Sequence, residues 1–215
     1  MTEDKKISSI VEEFNSKYAI VFNEEKHEYS VNGIIMPCVS DFINRVVKEI
    51  KQKQNPPWFM QRAMDKGTAS HKAIELLNSG CLDETTLDPQ ITGYVESYKK
   101  FKIVHYHKSI LREFRTFDSE RRVCGSIDDI GYIDGVLKTA DYKTGKYYDY
   151  YKWQLTGYYL MAKTVGLPIC GSSVIQLFED GSEAKEIPIN AEDYEQGWKG
   201  VCEVFDIYTG RKYAD

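Results

Sequence analysis

Apolar positions recur along this chain with two different periods. In ISSIVEEFNSKY, near the start, they fall three and four apart, the spacing of a helix with one buried stripe. YAIVFN and EYSV follow, and Asn32-Gly33 separates EYSV from IIMP. Asn-Gly between apolar runs predicts a type I′ turn, so this region reads as a β-hairpin. From about 40 to 53 an amphipathic helix is predicted, stopped by Asn55-Pro56-Pro57. DKGTASHKAIELLNSG reads as the next helix, with Thr68 as its N-terminal cap and Gly80 ending it. Another helix is predicted over about 89–106.

Strands then take over, at about 109–117, 122–133 and 136–143. A helix over about 149–165 ends at Gly166 and Pro168, and strands at 172–178 and 184–189 flank a turn at Asp180-Gly181. In the last helix Tyr194, Trp198, Val201, Phe205 and Tyr208 form one stripe. This order predicts an α/β (α+β) fold: a central mixed β-sheet flanked by helices, with an extra N-terminal β-hairpin. A single domain is expected over 1–215. Within it, 1–60 hold a helix, the hairpin and a basic helix, 61–190 the core, and 191–215 the C-terminal helix.

Composition narrows the class. With 42% hydrophobic and 28% charged residues, the chain is neither fibrous nor disordered. No run approaches the roughly 18–20 apolar residues of a membrane span, and MTEDKKISSIVEEF lacks the apolar stretch of a secretory signal. The expectation is a cytoplasmic protein without a membrane partner. A net charge of −5 conceals two basic stretches. Residues 43–72 carry Arg45, Lys48, Lys51, Lys53, Arg62, Lys66 and Lys72; residues 99–122 carry five more lysines and arginines than acids. They read either as solvated helix faces or as a strip that meets a polyanion. Cys38, Cys81, Cys124, Cys170 and Cys202 show no C-x2-C spacing, so neither a disulfide nor an iron–sulfur cluster is expected.

The candidate chemistry lies in VCGSIDDIGYIDGVLKTADYKTGK, residues 123–146. If Asp134-Gly135 is a two-residue loop, Asp128 stands opposite Asp141, and Asp129 points to the other face. Lys143 shares the face of Asp141, two positions on. Two carboxylates about 5 Å apart repel by roughly 3 kcal/mol at an effective dielectric of 20. A hard divalent cation between them reverses that sign. The alternative is a polar hairpin face with Lys143 as plain counter-charge. In the first reading, removing Asp141 relieves a clash in the metal-free protein.

These residues carry a resemblance. Gly125-Ser126-Ile127-Asp128 followed by Asp141-Tyr142-Lys143-Thr144-Gly145 resembles the metal-binding core of PD-(D/E)XK nucleases, in particular the RecB-type and phage-type exonuclease branch. Two further signatures stand in order: Gly67, Thr68 and His71 upstream, and Gln154 with Tyr158 downstream. The likeness covers about residues 67–160, with a looser one in the opening hairpin and residues 37–40. It implies a restriction-endonuclease-like core and a metal-dependent DNA exonuclease of phage or prophage recombination, repair or processing. His71, Asp128 and Asp141 would be metal ligands, joined by the Tyr142 carbonyl. Lys143, Gln154 and Tyr158 would be catalytic, and Thr68 would meet substrate through its N–H at a helix start. Glu75 reads as orienting His71 or as a plain helix acid. Mg2+ is the implied cofactor, with Mn2+ as substitute. The implied partner is DNA; a homo-oligomer and a single-strand-binding or annealing protein are compatible with the likeness. Alternatives are an endonuclease of the same fold and a non-catalytic nucleic-acid-binding module. Tyr147, Tyr148, Tyr150 and Tyr151, like Trp58 and Phe59, read either as a stacking surface for bases or as ordinary packing.

Overall fold

A computed structural model describes residues 2–50 and 57–210. In chain order the elements are α1 (Glu3–Lys17), β1 (Ile20–Asn23), β2 (Glu28–Val31), β3 (Ile34–Met36), α2 (Val39–Ile50) and α3 (Pro57–Asn78). There follow α4 (Pro89–Val104), β4 (Lys108–Asp118), β5 (Val123–Ile133), β6 (Val136–Lys143), α5 (Tyr151–Thr164), β7 (Gly171–Gln176), β8 (Lys185–Ile189) and α6 (Ala191–Thr209). Part of the expected stop signal after α2 (Asn55-Pro56), together with Lys51 and Lys53, falls outside the described residues, as do the side chains of Lys48, Trp58 and Phe59.

The fold is mixed α+β. Five strands form one sheet in the order β4-β5-β6-β7-β8, antiparallel except where β6 runs parallel to β7. That parallel pair needs a crossover, and α5 supplies it. The N-terminal strands form a three-stranded antiparallel sheet, β1-β2-β3, where a hairpin was expected. The reason is that β2 has two partners: Ile20 pairs with Val31 on one side, and Ile34 pairs with the same Val31 across the Asn32-Gly33 turn on the other.

One apolar cluster gathers Ile7 and Phe14 of α1, Val39 and Phe42 of α2, Tyr158 and Met161 of α5 and Trp198 of α6 against Ile127 and Ile130 of β5. A second joins Ile74 of α3 and Tyr94, Tyr98 and Phe101 of α4 to Ile133, Tyr142 and Ile175 of the sheet. A third, smaller cluster joins Leu155 of α5 to Val174 and Ile189 of β7 and β8, so helices cover the sheet through three separate cores. Full burial of each such side chain contributes roughly 1.5–3 kcal/mol. No described helix is long and apolar enough to cross a membrane. All five cysteines are free thiols.

One expected boundary moves. Helix α3 begins at Pro57, a residue suited to a first helical turn, so Thr68 lies in its interior and caps nothing. Gly67 does not break the helix, because a glycine costs only about 1 kcal/mol inside one. At Gly67 an added Cβ would stand 3.7 Å from Thr144 Oγ1, so α3 passes close to the end of β6. The predicted C-terminus holds: Gly80 is left-handed, and Cys81 N–H and Gly80 N–H bond back to Leu76 O and Leu77 O.

Candidate functional site

The β5–β6 turn has the geometry its residues demand. Asp134 and Gly135 both take positive φ, 49° and 77°, as a type I′ turn requires. The pairs run from Ile133↔Val136 to Asp129↔Ala140. One step further along this register Asp128 faces Asp141, and there the backbone ladder stops. In its place the Tyr142 N–H donates to Asp128 Oδ2 at 3.0 Å. The strands part where the two acids meet, and a side chain takes over the donor.

Lys143 lies on the face of Asp141 as expected, its Nζ 2.5 Å from Asp141 Oδ2. The Asp141 side chain is only 2% exposed, and Oδ2 has no partner with hydrogen-bond geometry; the Lys143 contact is one of charge. Helix α3 brings His71 over the end of β6. His71 Nε2 is 2.6 Å from the Tyr142 carbonyl, which can only accept, so Nε2 carries the proton. Nδ1 then turns toward Asp128 Oδ2, 3.2 Å away. The Tyr142 carbonyl, expected as a ligand, accepts from the imidazole ring with one of its lone pairs.

Helix α5 closes the other side. Gln154 Nε2 donates to Tyr158 Oη at 3.1 Å and makes a long contact, 3.4 Å, to Asp141 Oδ1. Gly125 permits this approach: a Cβ there would lie 3.0 Å from both Tyr158 Cε1 and Met161 Cε. The structure thus gathers His71, Asp128, Asp141, Lys143, Gln154 and Tyr158. Thr68 lines the adjoining cleft through its side chain, but its N–H belongs to the middle of a helix and is not offered to a ligand. The cleft, about 500 Å³, is walled by α3, by β4 and β5, by Phe22 and Tyr29 of the small sheet, and by Glu24 and His27 of its β1–β2 turn.

Electrostatics sharpen the picture. Burial, followed by the charge of Asp141, raises the Asp128 carboxyl well above its usual range. Burial and then Lys143 lower His71, leaving it neutral. Burial works against the Lys143 ammonium, yet Asp141 and Asp128 outweigh it and hold Lys143 above its ordinary value. The residues fit a hard divalent cation on this structure's own terms. Asp141 Oδ2 is buried and, among the described residues, accepts no hydrogen bond, having only the charge of Lys143 beside it. The lone pair of His71 Nδ1 faces an Asp128 oxygen at 3.2 Å, close to the spacing of about 3 Å between neighbouring ligands of an octahedral ion bound at 2.0–2.1 Å.

One acid beside the site, Glu113, had no role assigned from the sequence. Glu113 of β4 falls between the pairs Arg112↔Asp129 and Phe114↔Ile127, hence opposite Asp128, making a row of three acids across β4, β5 and β6. It takes a positive φ of 46° within its strand, accepts from Ser126 Oγ at 2.8 Å, and is raised by burial. Its position was hidden because the four-residue link after Asp118 has no turn-type signature to set the register. Glu75, on the His71 helix, pairs with Lys72 at 2.7 Å and lines the same cleft. Asp129 faces away as expected, into a buried polar cluster that no local motif announces.

The basic stretches are largely committed elsewhere. Lys66 pairs with Glu179, Lys99 with Glu84 and Glu96, Lys108 with Asp4 and Arg121 with Asp118. Lys72 and Arg115 do line the cleft. The tyrosines after β6 pack on one another, with Tyr148 and Tyr150 stacked at 5.4 Å and Lys143 Nζ 4.8 Å from the Tyr151 ring. A separate group of possible ligands, His105, Asp134 and Glu186, sits by the β5–β6 turn, where Lys138 Nζ already lies 2.6 Å from Glu186. Among known proteins, no family model matches the chain and no curated protein does.

Proposed function

We propose that this protein is a metal-dependent deoxyribonuclease of the PD-(D/E)XK kind, acting as an exonuclease on phosphodiester bonds. The observation that carries the reading is the convergence of Asp128, Asp141 and His71 beside the Lys143 ammonium. A stable hairpin alone gains nothing from burying two facing carboxylates. Asp128, Asp141 and His71 would hold Mg2+, or Mn2+ in its place. Such an ion neutralises phosphate charge and supplies water of lowered pKa.

The chain's own residues then divide the work. Lys143 stays protonated through neutral pH, since its acidic neighbours raise it, so it acts as a fixed cation against charge developing on the phosphate and not as a base. Gln154 holds the Asp141 carboxylate from the α5 side. Arg115 offers charge to the DNA backbone along the cleft. The test is degradation of end-labelled linear DNA in Mg2+, with arrest by EDTA. Cleavage that persists in chelator overturns the metal mechanism.

A further inference from the structure

Behind the site, on the opposite face of the same two strands, lies a buried polar cluster. Asp129 and its partner His107 have fully buried side chains. Asp129 Oδ2 accepts from the Tyr142 hydroxyl at 2.6 Å, and Oδ1 accepts from Ser109 Oγ at 2.8 Å. His107 Nε2 lies 3.0 Å from Oδ2, too poorly aligned for a hydrogen bond, and packs against the carboxylate. Tyr98 Oη reaches His107 Nδ1 at 2.8 Å and donates to Asn78 Oδ1 at 2.9 Å, which ties α3 and α4 into the same cluster. Burying a carboxylate in a sheet core costs several kcal/mol unless it is held this way.

The position of the cluster is informative. Tyr142 is the residue between Asp141 and Lys143. Its N–H holds Asp128 and its carbonyl holds His71, while its ring runs to the other face and is fastened to Asp129, the neighbour of Asp128. Both tethers join β5 to β6 just past the last backbone pair, Asp129↔Ala140. They stand where ladder hydrogen bonds would otherwise fix the distance between the strands. Without them, the peptide that carries Asp141 and Lys143 is free to shift relative to Asp128.

We infer that Asp129, held by Ser109 and His107, is a positioning residue: through the Tyr142 hydroxyl it sets the gap between Asp128 and Asp141 and so the affinity of the site for its cation. The inference rests on the metal reading above and adds to it a support on the far face of the sheet. Partners that orient ligands in this way typically account for about 10–100-fold in metal affinity.

The test is calorimetric titration of the DNA-free protein with Mn2+, comparing wild type with Tyr142→Phe, which removes one hydroxyl and no backbone group. The expected result is Mn2+ binding weakened about tenfold in Tyr142→Phe. Thr156→Val, a buried change on α5 outside the cluster, should bind as wild type does. Equal Mn2+ affinity in wild type and folded Tyr142→Phe overturns the positioning role while leaving the metal site intact. No Mn2+ binding by wild type overturns the metal reading itself, and the positioning role with it. If Tyr142→Phe does not fold, Ser109→Ala is measured instead. It strips the other Asp129 oxygen of its donor; binding weakened about threefold is expected, and unchanged binding overturns the inference.

Discussion

Lys143 Nζ stands 2.5 Å from Asp141 Oδ2, from a residue two positions away on one face of one strand. This contact changes which acid strains the protein. Asp141 has a cation beside it, whereas Asp128 accepts, among the described residues, from the Tyr142 N–H alone and meets the lone pair of a neutral His71. Burial, and after it the charge of Asp141, drives the Asp128 carboxyl well above its usual range.

Asp128→Asn should accordingly stabilise the metal-free protein at pH 7, read as a higher Tm. Asp141→Ala should destabilise it, because Lys143 loses its partner in a buried setting. That reverses the relief expected from the acids alone. Thermal denaturation in EDTA decides the matter; a lower Tm for Asp128→Asn would contradict the assignment of strain.

The same shift carries a pH dependence with a definite sign. An acid raised on folding binds its proton more tightly in the native state. Its contribution is therefore favourable below its unfolded value, near 4, and is lost as pH rises through the raised native value. Metal-free wild type should lose stability relative to Asp128→Asn as pH rises from about 4 toward neutrality. Parallel stability curves for the two proteins across that window would count against the shift.

Gln154→Ala removes the α5 contact to Asp141 and should lower kcat about tenfold with little change in KM, since the side chain steadies a ligand and does not bind DNA. Tyr158→Phe should cost less, because it removes only an acceptor for Gln154. Steady-state kinetics on linear DNA separate the two; a KM effect confined to Gln154→Ala would assign it to substrate instead.

Salt dependence of DNA binding tests the cleft. Arg115→Ala should reduce the slope of log K against log salt by about 1, the value of one phosphate contact. Lys108→Ala should leave it unchanged, since Lys108 is paired with Asp4 away from the cleft. Equal effects would return both residues to general surface charge.

The parts of the site that were legible in the sequence are those governed by local geometry. Asp134-Gly135 sets a turn, the turn sets a register, and the register places Asp128, Asp129 and Asp141 on their faces. The i, i+4 spacing of Gln154 and Tyr158 likewise puts both on one side of α5. Thr68 was misplaced because the Gly67-Thr68 pair looks like a helix start, while the actual start lies back at Pro57. The Asp129 cluster was invisible for a different reason. Asn78, Tyr98, His107, Ser109, Asp129 and Tyr142 come from α3, α4, β4, β5, β6 and the link before β4, and only tertiary packing brings them together.

The most direct measurement is the rate of linear DNA cleavage in saturating Mg2+ by wild type, Asp128→Asn and Lys143→Ala, each shown to be folded. Wild type should cleave in a Mg2+-dependent way, and both variants should lose at least about 10³-fold. Rates within threefold of wild type in either variant would contradict it.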